Sequence, residues 1–279
     1  DPNGPADPDV WTIGIQDAAG CWKACWVRYS LHPTVIHEDS TVVTADYPAY
    51  IRKELARRYP GMTLLFAQGT SGDQSTRYFR KGQSFDEAER IGSAIGRVAG
   101  DVLATLRCSP KAPLSVKTAW ADIQLRELPS LAEMDQRVAR ARERWQSLKA
   151  ANASYLEIQN ANLIMLGEED IWTFARLRQT GKPLSFIEGE IPAEVQVIGI
   201  GDARIVGLPG EVFLEFGQRI RAGSPFAKTA VVTVTNGCLP GYVCTAEAYA
   251  AGGYETGSSM MTAQAGEALV ETTLKLLQS

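Results

Sequence analysis

Histidine is the scarcest chemistry-bearing residue in this chain. His32 and His37 are the only two among 279 residues. Any histidine-based triad or metal centre must use one of them or borrow from another chain. Cysteine is scarce too and odd in number (Cys21, Cys25, Cys108, Cys238 and Cys244), so a disulfide framework is not indicated. Cys21 and Cys25 flank Trp22, four positions apart on what reads as one strand face. No second close pair completes a zinc set, and both read as buried small apolar residues. No basic tract interrupts a chain of net charge -4 and pI about 5.4, which argues against nucleic acid as a partner. No apolar run reaches transmembrane length, and there is no internal repeat or low-complexity segment. Residues Asp1-Pro2-Asn3-Gly4-Pro5-Ala6-Asp7-Pro8 do not read as a signal peptide. They read as an exposed linker or an entry into a domain from elsewhere.

What is present is an ordinary globular composition. With 45% hydrophobic and 22% charged residues, the chain can bury one large core or two small ones. The stretch that organises it runs from Met62 to Arg77. An apolar run of strand length ends at Phe66. A loop with Gly69, Gly72, Asp73 and several hydroxyls follows, and a strong helix begins near Ser84. Strand, glycine-bearing loop, helix is where α/β proteins place ligands, at the carboxyl end of a strand. A tight polar turn explains the same residues without a ligand.

Elsewhere the pattern predicts strands over Val10–Ile15 and Trp22–Tyr29, joined by the turn Asp17-Ala18-Ala19-Gly20. Pro33 stops the second strand and leaves His32 at its end. A helix is expected over Asp46–Tyr59. Another runs from the capping box Ser84-Phe85-Asp86-Glu87 to about Arg107. Strand alternation fills Leu114–Leu125. A second capping box at Ser130 opens a charged helix rich in arginine, whose usual meaning is a solvated face. Ala153–Arg178 reads as further helix. Strands follow at Leu184–Ile191, Glu194–Ile200 and Ala203–Leu208, the last two joined at Gly201-Asp202. Pro209-Gly210-Glu211 opens an amphipathic helix, Thr229–Thr235 reads as a buried strand, Asn236–Ser259 as a loop and Ala263–Leu277 as a closing helix. This order lacks strict βαβ alternation. It predicts an α/β fold with a layered mixed sheet and helices packed outside, rather than a doubly wound one.

Three loops follow strands: His32-Pro33-Thr34, the glycine-bearing loop, and Asn236–Tyr254. If these converge with Glu211, they bring together His32, Asp73, Ser75, Glu211, Tyr242 and Tyr254. Imidazole plus carboxylate with an open position is a zinc set. Each residue also has a structural explanation. His32 can be a satisfied histidine at a strand end, Glu211 can serve a helix N-terminus, and Ser75 can cap a turn. The two tyrosines can be core aromatics with a polar tip. His37 reads as a surface residue.

Four blocks carry a resemblance. They are Leu31-His32-Pro33-Thr34-Val35 with Thr44-Ala45-Asp46-Tyr47-Pro48; Gln68-Gly69-Thr70-Ser71-Gly72-Asp73-Gln74-Ser75-Thr76-Arg77; Leu208-Pro209-Gly210-Glu211; and Asn236 through Thr245, continuing to Tyr254-Glu255-Thr256-Gly257. In this order they resemble the neutral/alkaline non-lysosomal ceramidase family. The resemblance implies a Zn2+-dependent hydrolase cutting the amide of a small N-acyl substrate. It implies His32, Glu211 and Tyr242 as metal ligands. Ser75 is implied as nucleophile or positioning group, Tyr254 as oxyanion stabiliser, and Asp73 as the residue that orients the loop.

The chain also departs from that family. The family carries a His-x-His motif well before the block at His32, and no histidine stands there in this sequence. The resemblance likewise does not extend over the long C-terminal domain of ceramidases. The expectation is a single hydrolase domain over residues 1–279 that lacks an N-terminal portion, with the motif supplied by a separate segment or chain. The alternative is a metal-free binding protein that keeps the fold and pocket. A third possibility is a structural subunit that docks a partner through its arginine-rich helix.

Overall fold

The computed structural model describes residues 4–37, 40–180, 191–237, 239 and 241–279. Two mixed sheets, each with its own core, meet at the carboxyl ends of their strands.

The first sheet begins with the hairpin of β1 (Trp11–Gln16) and β2 (Trp22–Tyr29). Its turn is held by Asp17, whose Oδ1 accepts from the backbone N–H of Ala19 and Cys21 at 3.0 and 2.9 Å. After α1 (Tyr47–Arg58), β3 (Thr63–Gln68) adds parallel to β2. α2 (Phe85–Thr105) starts where Ser84 Oγ accepts from the Glu87 N–H. Glu87 itself does not close the box back to Ser84 but takes the N–H of Lys81. Ile51, Leu55, Ile91 and Leu103 of the two helices pack with Cys25, Val27 and Leu64 of the sheet. The helices approach closely because Gly92 has no side chain. A Cβ there would lie 2.2 Å from the Tyr47 carbonyl oxygen, far inside contact distance.

The second sheet begins with β4 (Leu114–Ala121), followed by a helical hairpin of α3 (Leu131–Ala150) and α4 (Tyr155–Gln179). β5 (Ala193–Ile200) pairs antiparallel with β4, and β6 (Ala203–Gly207) turns back on β5. The chain then passes through the two-residue β7 (Glu211–Val212) and α5 (Leu214–Gly223) into β8 (Lys228–Val232), parallel to β6. β9 (Tyr242–Val243) pairs parallel with β7. Three helices close the chain: α6 (Ala246–Ala251), α7 (Tyr254–Ser258) and α8 (Gln264–Gln278). Val195, Val197, Val206 and Val231 form the core of this half with Phe216 and Leu269 of α5 and α8. The predicted layered α/β architecture with mixed sheets is the observed one.

The differences from expectation have local causes. β4 stops at Ala121, and Leu125 makes only an isolated bridge to Met261. Within the expected loop Asn236–Ser259 lie β9 and two short helices, which sequence periodicity is too short to reveal. The strand expected at Leu184–Ile191 lies, save for its last residue, outside the described residues. Cys25 is buried as read, but Cys21 is exposed because it belongs to the turn rather than to β2. The arginine-rich α3 is largely solvated, yet Arg137 and Arg142 reach across to Glu168 and Glu169 of α4 at 2.9 and 2.6 Å.

The opening segment is not a free linker. Asp7 is buried, and its Oδ2 pairs with Nη1 of the equally buried Arg28 at 2.6 Å. Arg28 Nε donates to the Val231 carbonyl at 2.9 Å. One ion pair thus ties the start of the chain, β2 and β8 together. No helix among the described residues is long and apolar enough to cross a membrane.

Candidate functional site

The two sheets are stitched where their strands end. Thr233, just past β8, donates its N–H to Gln68 O at 3.0 Å and its hydroxyl to Gly69 O at 2.7 Å. The glycine-bearing loop therefore starts at the seam. It then crosses β7, where Gly72 N–H donates to Val212 O at 3.0 Å. A Cβ on Gly72 would sit 2.5 Å from the Glu211 carbonyl oxygen, so only glycine permits this crossing. On the other side His32 N–H donates to Gln74 O at 3.0 Å. The loop is thus tied to both the His32 segment and the Glu211 strand.

These ties enclose a cavity of about 850 Å³. All six residues singled out from the sequence, His32, Asp73, Ser75, Glu211, Tyr242 and Tyr254, line it. His32 Nε2 lies 3.3 Å from Glu211 Oε2. The contact lacks hydrogen-bond geometry, and Nε2 is buried without any hydrogen-bond partner. Burial, reinforced by the charge of Arg77, lowers the His32 pKa and so favours the neutral ring. Glu211 stands directly opposite Tyr242 in the β7–β9 pair. Burial raises its carboxyl pKa, opposed by hydrogen bonding to the Tyr242 phenol. The Tyr242 ring meets Tyr254 edge-on, with centroids 5.7 Å apart. Both phenols are pushed above their ordinary pKa, first by burial, then by neighbouring carboxylates.

The remaining two have backbone duties. Asp73 Oδ1 accepts from Leu214 N–H at 2.9 Å, at the first residue of α5. That helix has no side-chain cap of its own, so Asp73 supplies one from another element. Burial raises its carboxyl pKa despite this bond. Ser75 Oγ accepts from Arg77 N–H at 3.2 Å and caps the single 3₁₀ turn Thr76–Tyr78. Glu211 was expected at a helix start. It lies instead in β7, three residues before α5, because the chain stays extended through Phe213.

Among the further residues that line the cavity are His37, Arg77 and Glu255. His37, read from sequence as a surface residue, is partly buried, with Nε2 3.5 Å from Arg77 Nη2. Its position follows from long-range closure, which single-sequence patterning does not carry. Arg77 and Glu255 stand inside the quoted blocks, so their signal was adjacency to Ser75 and Tyr254. A smaller hollow of about 480 Å³ lies between α3 and α4. Its polar groups are already spent on each other: Arg142 on Glu169, and Trp172 Nε1 on Asp135 at 2.7 Å.

Solved structures place this architecture. The chain superimposes on "neutral ceramidase from Pseudomonas aeruginosa" with a TM-score of 0.65 and 17% identity. The fold is ceramidase-like. The match covers 98% of this chain and 46% of that one. A second structure, "Ceramidase complexed with C2", gives a TM-score of 0.65 at 14% identity, covering 98% of this chain and 48% of that one. The chain thus spans about half the length of the ceramidases it resembles. No protein-family profile matches the chain, and no curated protein does.

The donor set at the centre of this ceramidase-like fold fits a cation in part. An orphaned buried imidazole nitrogen aimed at a carboxylate is what a shared ion would explain. Among the described residues no cluster of three or more His, Cys, Asp or Glu side chains accompanies it. The Tyr242 phenol stands beside Glu211 as a further oxygen.

Proposed function

We propose that this chain forms part of a zinc-dependent hydrolase that cleaves the amide of an N-acyl substrate, as a relative of the neutral ceramidases. The observation that carries this reading is the His32–Glu211 contact: an imidazole nitrogen without a hydrogen-bond partner and a carboxylate 3.3 Å apart in a cavity of about 850 Å³.

His32, Glu211 and Tyr242 are the residues that would hold the metal. A zinc ion at such a site supplies Lewis acidity to a carbonyl oxygen. The chain's own groups prepare for this chemistry. Low basicity leaves the His32 lone pair available. Tyr254 stays protonated at neutral pH because burial raises its pKa, so its O–H can donate to an oxyanion developing at the scissile carbonyl. Asp73 fixes α5 and the loop. Ser75 holds the turn that carries Arg77, and its hydroxyl hydrogen remains available to the substrate. Leu163, Leu166, Tyr78 and Phe79 bring apolar surface to the same cavity, which suits an acyl chain.

Metal analysis of the purified protein tests this. The expected result is about one zinc per chain, lost in His32→Ala and Glu211→Gln together with hydrolysis of N-acyl amides. Absence of metal, with no hydrolysis across a panel of acyl lengths, refutes the reading and leaves a metal-free binding protein in its place.

A further inference from the structure

Several arginines in this protein pair with carboxylates. Arg28 has Asp7, Arg58 has Asp101, Arg90 has Glu87, Arg137 has Glu168 and Arg219 has Glu267. Arg77 is not one of them. It is partly buried and lines the cavity, yet no described carboxylate lies within ion-pair distance of it. Its side chain meets His37, with Nη2 3.5 Å from Nε2. The nearby Arg80 shows what a structural arginine does here. Its Nη1 donates to the carbonyls of Thr34 and Val35 at 2.6 and 3.1 Å and braces the His32 loop. Arg77 braces nothing comparable.

Its backbone is nevertheless fixed. Ser75 caps its N–H, and the turn closes through Phe79 N–H to Thr76 O at 3.1 Å. Its charge reaches the centre of the site, because both the His32 imidazole and the Glu255 carboxyl feel it. A partly buried guanidinium with no carboxylate at ion-pair distance gains from one that a ligand brings. Held on a rigid turn and facing a cavity, it is a fork for a planar anion.

We propose that Arg77 is an anion-recognition residue, and that the ligand of this cavity carries a carboxylate close to the amide, as an N-acyl amino acid does. The word substrate for that ligand rests on the amidase reading above; the recognition does not. The apolar residues Leu163, Leu166, Tyr78 and Phe79 take the acyl chain, the His32–Glu211 pair faces the amide carbonyl, and Arg77 receives the carboxylate. Such a ligand differs from a ceramide, whose polar end bears hydroxyls and no charge.

Two non-hydrolysable probes test this by calorimetry. They are analogues of N-octanoylglycine and N-octanoylethanolamine in which CH2 replaces the amide NH. One ends in a carboxylate, the other in a hydroxyl. The unmodified protein should bind the acid about tenfold to a hundredfold tighter, the range expected for a charge-assisted fork. Arg77→Ala should cut that preference to about threefold or less while leaving the alcohol's affinity unchanged. Arg77→Gln, closer in size, should do the same, and Arg77→Lys should recover part of the preference. Equal binding by the unmodified protein, a preference that survives both neutral variants, or binding of neither probe overturns the proposal. Discrimination without turnover of the parent amides sinks the amidase reading and leaves this one. Turnover without discrimination does the reverse.

Discussion

Replacing Asp7 with Asn tests whether the opening segment is a structural part of the site's scaffold. The Asp7 and Arg28 side chains are each only 1% exposed, and Oδ2 sits 2.6 Å from Nη1. Asp7 also accepts from Ser30 Oγ at 3.2 Å and lies 3.4 Å from Arg221 Nη1. Asparagine keeps the size but strands a buried guanidinium, whose remaining bond is Nε to Val231 O. Breaking a buried pair from one side costs about 3–5 kcal/mol, a large share of the roughly 5–15 kcal/mol that holds a typical domain. Chemical denaturation at pH 7 should show that loss as a lower midpoint with unchanged slope. Converting both partners to apolar residues, Asp7→Leu with Arg28→Met, should recover at least half of it, since no charge is then stranded. The pH dependence carries a sign. Burial raises the Asp7 pKa, but the Arg28 hydrogen bond and charge, with Arg221, outweigh it and hold the carboxyl below its ordinary value. The unfolded carboxyl keeps a value of about 4. The native state therefore binds fewer protons, and the contribution is complete above about pH 4 and lost as pH falls through the native pKa. The gap between unmodified protein and Asp7→Asn should stay level from about pH 5 to 8 and narrow in acid. A loss under about 1 kcal/mol, the size of an exposed pair, or a gap that widens in acid, refutes the argument.

Two further substitutions address the loop. Gly72→Ala drives a Cβ to 2.5 Å from the Glu211 carbonyl oxygen, so the loop and β7 must part. Denaturation should show a loss of about 1–3 kcal/mol, and zinc affinity should fall with it; an unchanged midpoint contradicts the crossing described. Ser75→Ala removes the acceptor for Arg77 N–H and should cost about 0.5–2 kcal/mol. Hydrolysis should remain within about tenfold, because the hydroxyl holds a turn. A drop of a thousandfold or more with the fold intact, the scale of a lost nucleophile, shows that Ser75 attacks the carbonyl instead.

Much of the scaffold was legible because its signals are local. β5 alternates buried and partly buried residues along its whole length, a period-two pattern read from eight residues. α2 announces itself by Ser84 and by apolar residues at helical spacing, though one of them, Val98, is 48% exposed. The buried face runs through Gly92, Gly96 and Gly100, which lie against α1. A hydrophobicity pattern misses them because what matters at those positions is the absence of a side chain. The burial of Asp7, which rules out the linker alternative, was hidden for a different reason. Its partners Arg28 and Arg221 lie 21 and 214 residues away, and a Pro-rich, Asp-rich start looks solvated until they are known.

The candidate site was legible as a set of residues but not as an arrangement, and Glu211 shows why. Pro209-Gly210-Glu211 before an amphipathic run has every local mark of a helix entry. A helix starting there would need its own first-turn cap and would spend the Glu211 carboxylate on backbone N–H groups. The cap comes instead from Asp73, 141 residues earlier, at the Leu214 N–H. The helix can therefore begin three residues later. The chain before it stays extended, pairs with β9, and sets Glu211 opposite Tyr242 and 3.3 Å from His32. A carboxylate in the glycine-bearing loop thus frees a second carboxylate for the cavity. The two are one device: the loop that positions the His32 segment through Gln74 also decides, through Asp73, where the helix starts and what Glu211 faces.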